Sequence, residues 1–438
     1  MTSKQDDKVS KIVALCKRRG IVFQNSEIYG GLQGFYDFGP IGSLMKKNFK
    51  DLWIRDNIQR RNDVLLIDGS IISHPKVWEA SGHVKNFTDT IVECKNCHQR
   101  FRTDLLENKN VCPECGKKLT EGKKYNILFE TEIGVIEGEK IHAYLRGEAC
   151  QNIYLDFKNI VDSSRIKIPF GIAQIGKAFR NEVTPKNFLY RTREFEQADI
   201  QFFCHPKDMD KYFDYWKKER MDWYKKIFNQ KDSLRLRQHQ ADELVFYAKK
   251  AFDIEYQAPW GWAEMEGIHW RGDYDLTQHQ KFSGQDLAYT DPSTHEKYLP
   301  HIVECSSGVD RPFFYLLLDA YQEEKLENGE TRIFLKINPH LAAYKLAIFP
   351  LASNKPELLK LSQKLYKDLS QKYSIDYDDS SNIGKKYRRQ DEIGTPWCAV
   401  IDYQSLEDNT VSIRDRDTMK QIRLKIDEID TWLSLKLN

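Results

Sequence analysis

Apolar residues recur at helical spacing through Ile41, Leu44, Met45, Phe49, Leu52 and Trp53, directly after Gly39-Pro40. A proline just ahead of such a stripe suits a helix start. The short apolar run Val64-Leu65-Leu66-Ile67 then predicts a strand. From about 126 to 205, brief apolar runs alternate with turns, a pattern of strands. Between Asp208 and Phe228, the aromatic residues Tyr212, Phe213, Trp216, Tyr224 and Phe228 form a helical stripe, read as core packing. Glu327-Asn328-Gly329-Glu330 predicts a linker turn. Beyond it, Ala347–Leu351 predicts a buried strand. A helix over Glu357–Tyr373 would turn Leu358, Leu361 and Leu365 inward, and a second is expected over Thr418–Leu433. Strands alternating with helices imply a C-terminal α/β unit of about 100 residues.

A chain of 438 residues exceeds one core and implies two or three domains. No run approaches the ~18 consecutive apolar residues of a membrane span. The polar stretch Met1–Lys8 carries no secretory signal. Net charge is only +2, so a nucleic-acid partner would have to meet local basic patches. Nine cysteines, an odd number, fit a reducing cytoplasmic interior better than a disulfide scaffold.

Residues 93–125 are rich in lysine and cysteine and read as an insertion. Cys94-x-x-Cys97 and Cys112-x-x-Cys115 form two knuckles a short distance apart. Four thiolates complete a tetrahedral site with no open position, so the ion would be structural. Zn2+ suits it best, iron is the alternative, and His98 is a weaker competing ligand. Four unliganded thiols are the other reading.

Two charged clusters carry the strongest chemical signal. Phe179-Arg180-Asn181-Glu182 and Tyr190-Arg191-Thr192-Arg193-Glu194-Phe195-Glu196-Gln197 flank the loop Thr184-Pro185-Lys186-Asn187. Such a hairpin can grip a nucleoside triphosphate, with arginine on phosphate and an aromatic ring on the base. A surface hairpin laced by cross-strand ion pairs is the alternative. Downstream, Pro300–Glu304 reads as an apolar strand ending in a carboxylate. A Ser306-Ser307-Gly308 turn and Arg311, at the start of an apolar helix, follow.

These stretches resemble the second and third signature motifs of class II aminoacyl-tRNA synthetases. The blocks Phe170–Ile200 and Ile383–Asp402 resemble the glycyl-tRNA synthetase family of homodimeric type, and the likeness runs from about Ile12 to about Ile429. It implies an α+β fold: a class II synthetase-like antiparallel sheet flanked by helices, a small zinc-knuckle insertion, and a C-terminal α/β anticodon-binding domain. The catalytic domain would span 1–330, with the knuckle at 93–125, and the anticodon-binding domain 331–438. The helix and strand after Pro40 resemble the first signature motif, a dimer interface.

The resemblance further implies ATP-dependent activation of glycine and transfer to tRNA(Gly), with Mg2+ bridging phosphates. Arg180, Glu182 and Arg311 would be catalytic. Arg180 would bind the α-phosphate, Glu182 the adenine edge, Phe195 the adenine face, and Arg311 its other face or the γ-phosphate. Asn181, Tyr190, Arg191, Thr192, Arg193, Glu194, Glu264, Met265, Gly308, Val309 and Asp310 would complete the ATP site, carboxylates of Trp262–Gly267 assisting Mg2+. Glycine would be read by Glu148, Asp199, Glu304 and Ser306, with Arg271 at its carboxylate and Arg102 nearby. Phe195, Glu196, Gln197, Ala198, Cys305, Ser307 and Gly308 would form the walls. Crowded acids would read the ammonium group, and tight walls would exclude larger side chains. Gly147, Asn152 and Cys305 depart from the family pattern. Lys385, Lys386, Arg388 and Arg389, interleaved with Tyr387, suit tRNA phosphates and bases or, alternatively, a solvated loop. Lys117, Lys118, Lys123 and Lys124 could form an acceptor-side patch. A synthetase for another amino acid and a catalytically silent tRNA-binding relative are the competing readings.

Overall fold

The computed structural model describes residues 4–103, 106, 108–185, 187–245, 247–380 and 382–437, with side chains from Asp7 onward. Lys186, in the expected hairpin loop, lies outside the described residues. The central sheet comprises β1 (Val64–Ile67), β2 (Phe170–Phe179), β3 (Glu194–Cys204), β4 (Leu234–Gln238), β5 (Lys250–Ala258), β6 (Gly261–Gly272) and β7 (His301–Gly308). Their order is β4-β5-β6-β7-β3-β2-β1. Neighbours run antiparallel, except that β1 is parallel to β2.

Side chains alternate across a strand, so one sequence dresses two faces. On β3, Ala198, Ile200 and Phe202 join the main core with Met209, Phe213, Trp216 and Tyr224 of helix α2. Here α1 is Pro40–Ile54 and α2 is Met209–Ile227. Gln197, Asp199 and Gln201 project from the opposite face, yet they too are buried. A strand face that is polar and buried is costly unless it serves a site. Helix α1 opens on Pro40, where the missing N–H is no loss, and buries Met45, Phe49, Leu52 and Trp53. Helix α3 (Asp310–Ala320) follows β7 and sets Arg311 in its first turn.

The C-terminal unit is a sheet of β8 (Leu346–Pro350), β9 (Ile375–Tyr377), β10 (Trp397–Ile401), β11 (Thr410–Asp415) and β12 (Gln421–Lys425), ordered β9-β8-β10-β11-β12. Helices α4 (Pro356–Leu369), α5 (Ile383–Ile393) and α6 (Ile429–Leu437) accompany it. Leu346, Ile348, Leu358, Leu365, Ile413 and Leu433 belong to its separate core.

Several expectations are corrected. The strand-rich stretch also contains helices at Gln151–Leu155 and Phe157–Ser164. The helix expected over Thr418–Leu433 is instead β12 followed by α6, because Gln421-Ile422-Arg423-Leu424-Lys425 alternates with a period of two. Glu327–Glu330 is the turn of a hairpin joining Tyr321–Lys325 to Thr331–Leu335, with Gly329 at φ 83°. Leu335, Ile337 and Leu341 still pack on the first core, and the second begins at Leu346. Ser306-Ser307-Gly308 continues β7 instead of turning, since Gly308 pairs with Gln197. The basic stretch from Gly384 is helix α5, not a loop: the Asn382 side chain accepts from Lys385 N at 3.0 Å, and Gly394 closes the helix at φ 78°.

Helix α5 also docks the two units. Asp391 accepts from Arg332 at 2.8 Å and from Arg414 at 2.9 Å, all three being buried. Arg18 donates to Glu392 at 3.0 Å from the end of the N-terminal helix.

Ile413 is 1% exposed in the second core, where Trp397 and Trp432 meet edge-to-face at 5.0 Å. Ile413→Ala is expected to cost about 2–5 kcal/mol of that unit's stability, read by tryptophan fluorescence in urea. A loss below about 1 kcal/mol would contradict close packing there.

Candidate active site and metal centre

The polar faces of β3, β6 and β7 floor a cleft of about 390 Å³. Arg180 follows the last residue of β2. Its guanidinium lies 5.1 Å from the Phe87 ring and 5.3 Å from the Phe195 ring, and its Nε donates to Gly147 O at 3.0 Å. Arg311 Nη1 meets the Glu264 carboxylate at 3.0 Å, and its guanidinium lies 4.8 Å from the Tyr190 ring. Both arginines line the same cleft. Arg311 holds the half-exposed Glu264 carboxyl below its ordinary range, and the Arg180 charge adds to this. Two guanidinium groups 131 positions apart in the chain thus bear on one carboxylate.

At the closed end, acids gather. The register sets Asp199 opposite Ser306 and Gln201 opposite Glu304, with His269 opposite Glu304 on the other side. Glu304 accepts from Arg271 Nη1 at 2.8 Å and Gln201 Nε2 at 3.1 Å, and lies 2.7 Å from His269 Nδ1. Arg271 also forks onto Asp275 at 2.7 and 2.9 Å. Glu148 accepts from Gln151 Nε2 at 2.8 Å and faces His83 Nε2 at 3.2 Å.

Asp199 differs from its neighbours. It is fully buried, and neither carboxylate oxygen makes a hydrogen bond of normal geometry. Burial and the charges of Glu304 and Glu148 push its carboxyl well above the ordinary range, with partial relief from Ser306. Burial beside two other carboxylates favours the neutral acid, so an ionised Asp199 would need a cation next to it.

Not every expected residue lines this cleft: Asp199 and Arg271 are buried and are not among its lining residues. Phe195, Gln197, Glu182, Tyr190, Arg191, Thr192, Gly308 and Asp310 do line it, with Glu148, Glu264, Glu304 and Ser306. Parity turns others away. Glu196 bonds Lys50 at 2.9 Å, Glu194 bonds Lys177 at 2.7 Å, and Ser307 shares a hydrogen bond with Tyr224 at 2.9 Å. Ala198, Met265, Cys305 and Val309 belong to the core. Arg102 sits on the knuckle sheet, reaching Asp89 at 3.1 Å and Glu182 at 3.3 Å. Asn181 and Arg193 line a neighbouring cleft with Arg100 and Lys123. Glu266 is locked by Arg220 at 2.7 Å on the far face, which leaves Glu264 as the cleft-facing carboxylate of its segment. Cys150 and Cys305 are buried, and burial pushes both thiols well up. Sequence reasoning missed His83, Phe87, Tyr247 and His269. Isolated ring residues carry no spacing signal, so only the fold could find them.

The four knuckle sulfurs lie within 4.8 Å of one another, with Cys94···Cys115 at 3.4 Å and Cys97···Cys112 at 3.7 Å. A tetrahedral zinc site places sulfurs about 3.8 Å apart, so the cluster fits a metal. Backbone N–H groups of Cys97 and Asn96 help to lower the Cys94 thiol to about 6. His98 pairs instead with Glu93 at 3.2 Å, outside the ligand set.

On α5, Lys386 is 1% exposed and donates to Pro350 O at 3.3 Å, so its placement does not meet the expectation of a phosphate contact. Arg388 pairs with Glu330 at 2.7 Å, Arg389 pairs with Asp378, and Lys385 is exposed.

Residues 129–321 match the tRNA synthetase class II core domain (G, H, P, S and T), and residues 345–435 match the anticodon binding domain. The glycine–tRNA ligase of Borreliella burgdorferi (strain ATCC 35210) is 47% identical over 435 residues, covering 98% of each chain. That of Treponema denticola is 48% identical over 436 residues, covering 97% of this chain and 96% of its own. The glycine–tRNA ligase of Caldanaerobacter subterraneus subsp. tengcongensis is 46% identical over 457 residues, covering 98% of both. With a class II core, an anticodon-binding unit and such identity from end to end, the chain belongs to the glycine–tRNA ligase family.

Proposed function

We propose that the protein joins glycine to tRNA(Gly) at the expense of ATP. The observation that carries this reading is one cleft lined by Arg180 and Arg311 together with Glu148, Glu304 and Ser306, with the buried Asp199 opposite Ser306 in the sheet. In the first step, a glycine carboxylate oxygen attacks the α-phosphorus of ATP, forming glycyl-adenylate and releasing pyrophosphate. In the second, a ribose hydroxyl at the 3′ end of tRNA attacks the glycyl carbonyl, and AMP leaves. No protein nucleophile is required. Positioning and charge neutralisation supply the catalysis.

Arg180 would meet the α-phosphate and glycine carboxylate, its plane set by Phe87 and Phe195. Glu182 would accept from the adenine edge. Arg311 would leave Glu264 for the polyphosphate. Mg2+ would arrive with ATP and offset phosphate charge, and Glu264, which lines the cleft, would be a carboxylate able to hold it. Glu148, Asp199 and Glu304 would surround the ammonium group. Asn181, Arg193 and Lys123, in the neighbouring cleft, support an approach path for the tRNA end. Zinc on the four cysteines would brace the knuckle that carries Arg102.

Partner and place follow the same reading. Edge strand β1 exposes Leu66, and Ile28, Tyr29, Leu32 and Ile72 are exposed as well. A second copy of the chain would cover such surface in a homodimer. Among the described residues no helix is long and apolar enough to cross a membrane, and the nine cysteines are free thiols, which supports a cytoplasmic enzyme.

Three outcomes are expected. Arg180→Ala should lower glycine-dependent ATP–pyrophosphate exchange by about a hundred-fold or more with the fold retained by circular dichroism. Exchange that prefers alanine or serine to glycine would overturn the substrate assignment. Because the Asp199 carboxyl is raised, it must lose its proton to receive an ammonium group. Glycine KM should therefore fall as pH rises above the ordinary carboxyl range near about 4, and Asp199→Asn should raise KM and flatten that dependence. Wild-type protein should carry about one zinc per chain by mass spectrometry, and Cys112→Ser should lose it.

A further inference from the structure

Glu148 is held from two directions. Its Oε1 accepts from Gln151 Nε2 at 2.8 Å and from Cys150 Sγ at 3.1 Å. Its Oε2 faces His83 Nε2 at 3.2 Å. His83 is buried, and its ring sits edge-on to Trp78 at 5.2 Å and to Phe87 at 5.1 Å between centroids. Its carbonyl accepts from Asn126 Nδ2 at 3.1 Å. The imidazole is therefore walled on both sides and tethered at its backbone.

The other ring nitrogen, Nδ1, lies 2.8 Å from Ser81 Oγ, and that hydroxyl lies 3.4 Å from Trp78 O. A hydroxyl can donate or accept, so Nδ1 is satisfied whether or not it carries a proton. Nε2 has no such freedom. A lone pair aimed at a carboxylate would be repelled, so the network places a hydrogen on Nε2, pointed at Glu148. His269 plays the matching part for Glu304, at 2.7 Å. Two of the three acids at the closed end are thus backed by an imidazole, and Asp199 is not. The consequence is visible in their charge states. Burial pushes the Glu148 carboxyl up, but His83, then Arg271 and Gln151, outweigh it and hold the group well below its ordinary range.

We propose that His83 is a positioning residue for amino-acid selection, holding the Glu148 carboxylate ionised and aimed at the substrate ammonium group. This rests on the reading of the acid cluster as the glycine site and adds to it a residue outside the signature motifs. Without the Nε2 hydrogen, Glu148 would keep its two remaining donors but face Asp199 and Glu304 less well compensated. It would then take up a proton or turn, and the ammonium group would lose one charge-assisted partner.

The test uses full-length protein and glycine-dependent ATP–pyrophosphate exchange. His83→Leu should raise glycine KM about 10- to 100-fold and leave ATP KM unchanged. His83→Gln places an amide N–H near the Nε2 position and should restore most of the loss. His83→Asn places its amide near the Nδ1 position and should not. An unchanged glycine KM in the Leu and Asn variants would overturn the proposal. So would equal losses in the Gln and Asn variants, or an ATP KM that moves with the glycine KM, since either would mark a packing defect transmitted through Phe87. Should the Leu variant fail to fold, the Gln–Asn comparison decides. Absence of glycine-dependent exchange in the wild-type protein would instead remove the underlying site assignment.

Discussion

Arg271 is the charge on which the pocket depends. Its guanidinium is 1% exposed, forks onto Asp275, bonds Glu304 and lies 3.8 Å from the Tyr247 ring centroid. Glu148, Asp199 and Glu304 are buried on strands or turns around it. Several carboxylates in low dielectric cannot coexist without compensation, and breaking one buried pair typically costs about 3–5 kcal/mol. Arg271 and the two histidines compensate for part of that charge. Asp199 has no such partner, and burial beside Glu304 and Glu148 favours its neutral form.

A site of this kind needs a rigid floor, and the sheet supplies one. The register that brings Asp199 beside Ser306 also sends Ile200 and Cys305 into the opposite face, where they pack on α2. On that far face Arg220 bonds Glu266 through two nitrogens at 2.7 and 3.0 Å, and Tyr224 bonds Glu266 at 2.7 Å. The strands are clamped from behind by a buried polar network, and their other face floors the cleft. The cleft-lining arginines sit at the ends of elements, Arg180 after β2 and Arg311 in the first turn of α3. There a long side chain can reach the cleft while its backbone stays in the scaffold.

Much of the fold was legible. The aromatic stripe of Asp208–Phe228 predicted α2, and Val64–Ile67 predicted β1, because local period and packing face agree there. The paired Cys-x-x-Cys units announced the sulfur cluster for the same reason: ligand spacing within each knuckle is local. The reading failed where two periods compete. The segment Thr418–Leu433 holds enough apolar residues for a helix, but its first part adds a strand to β11, a choice made by an unpaired sheet edge. Lys386 looked like a solvent-facing cation among others, yet the helical turn of α5 rolls it inward over Phe349.

The chain by itself determined the chemistry on offer: two arginine-bearing motifs, a set of acids, four thiols, and hydrophobic patterns for two cores. Those are properties of residue type and near-neighbour spacing. Tertiary structure alone decided which acids meet, which face of β3 and β7 they share, and that His83 and His269 stand behind two of them while Asp199 stands alone. Strand register and crossover bring together residues more than a hundred positions apart. Their mutual Coulomb energies, and hence their protonation, exist only once those separations shrink to a few ångströms.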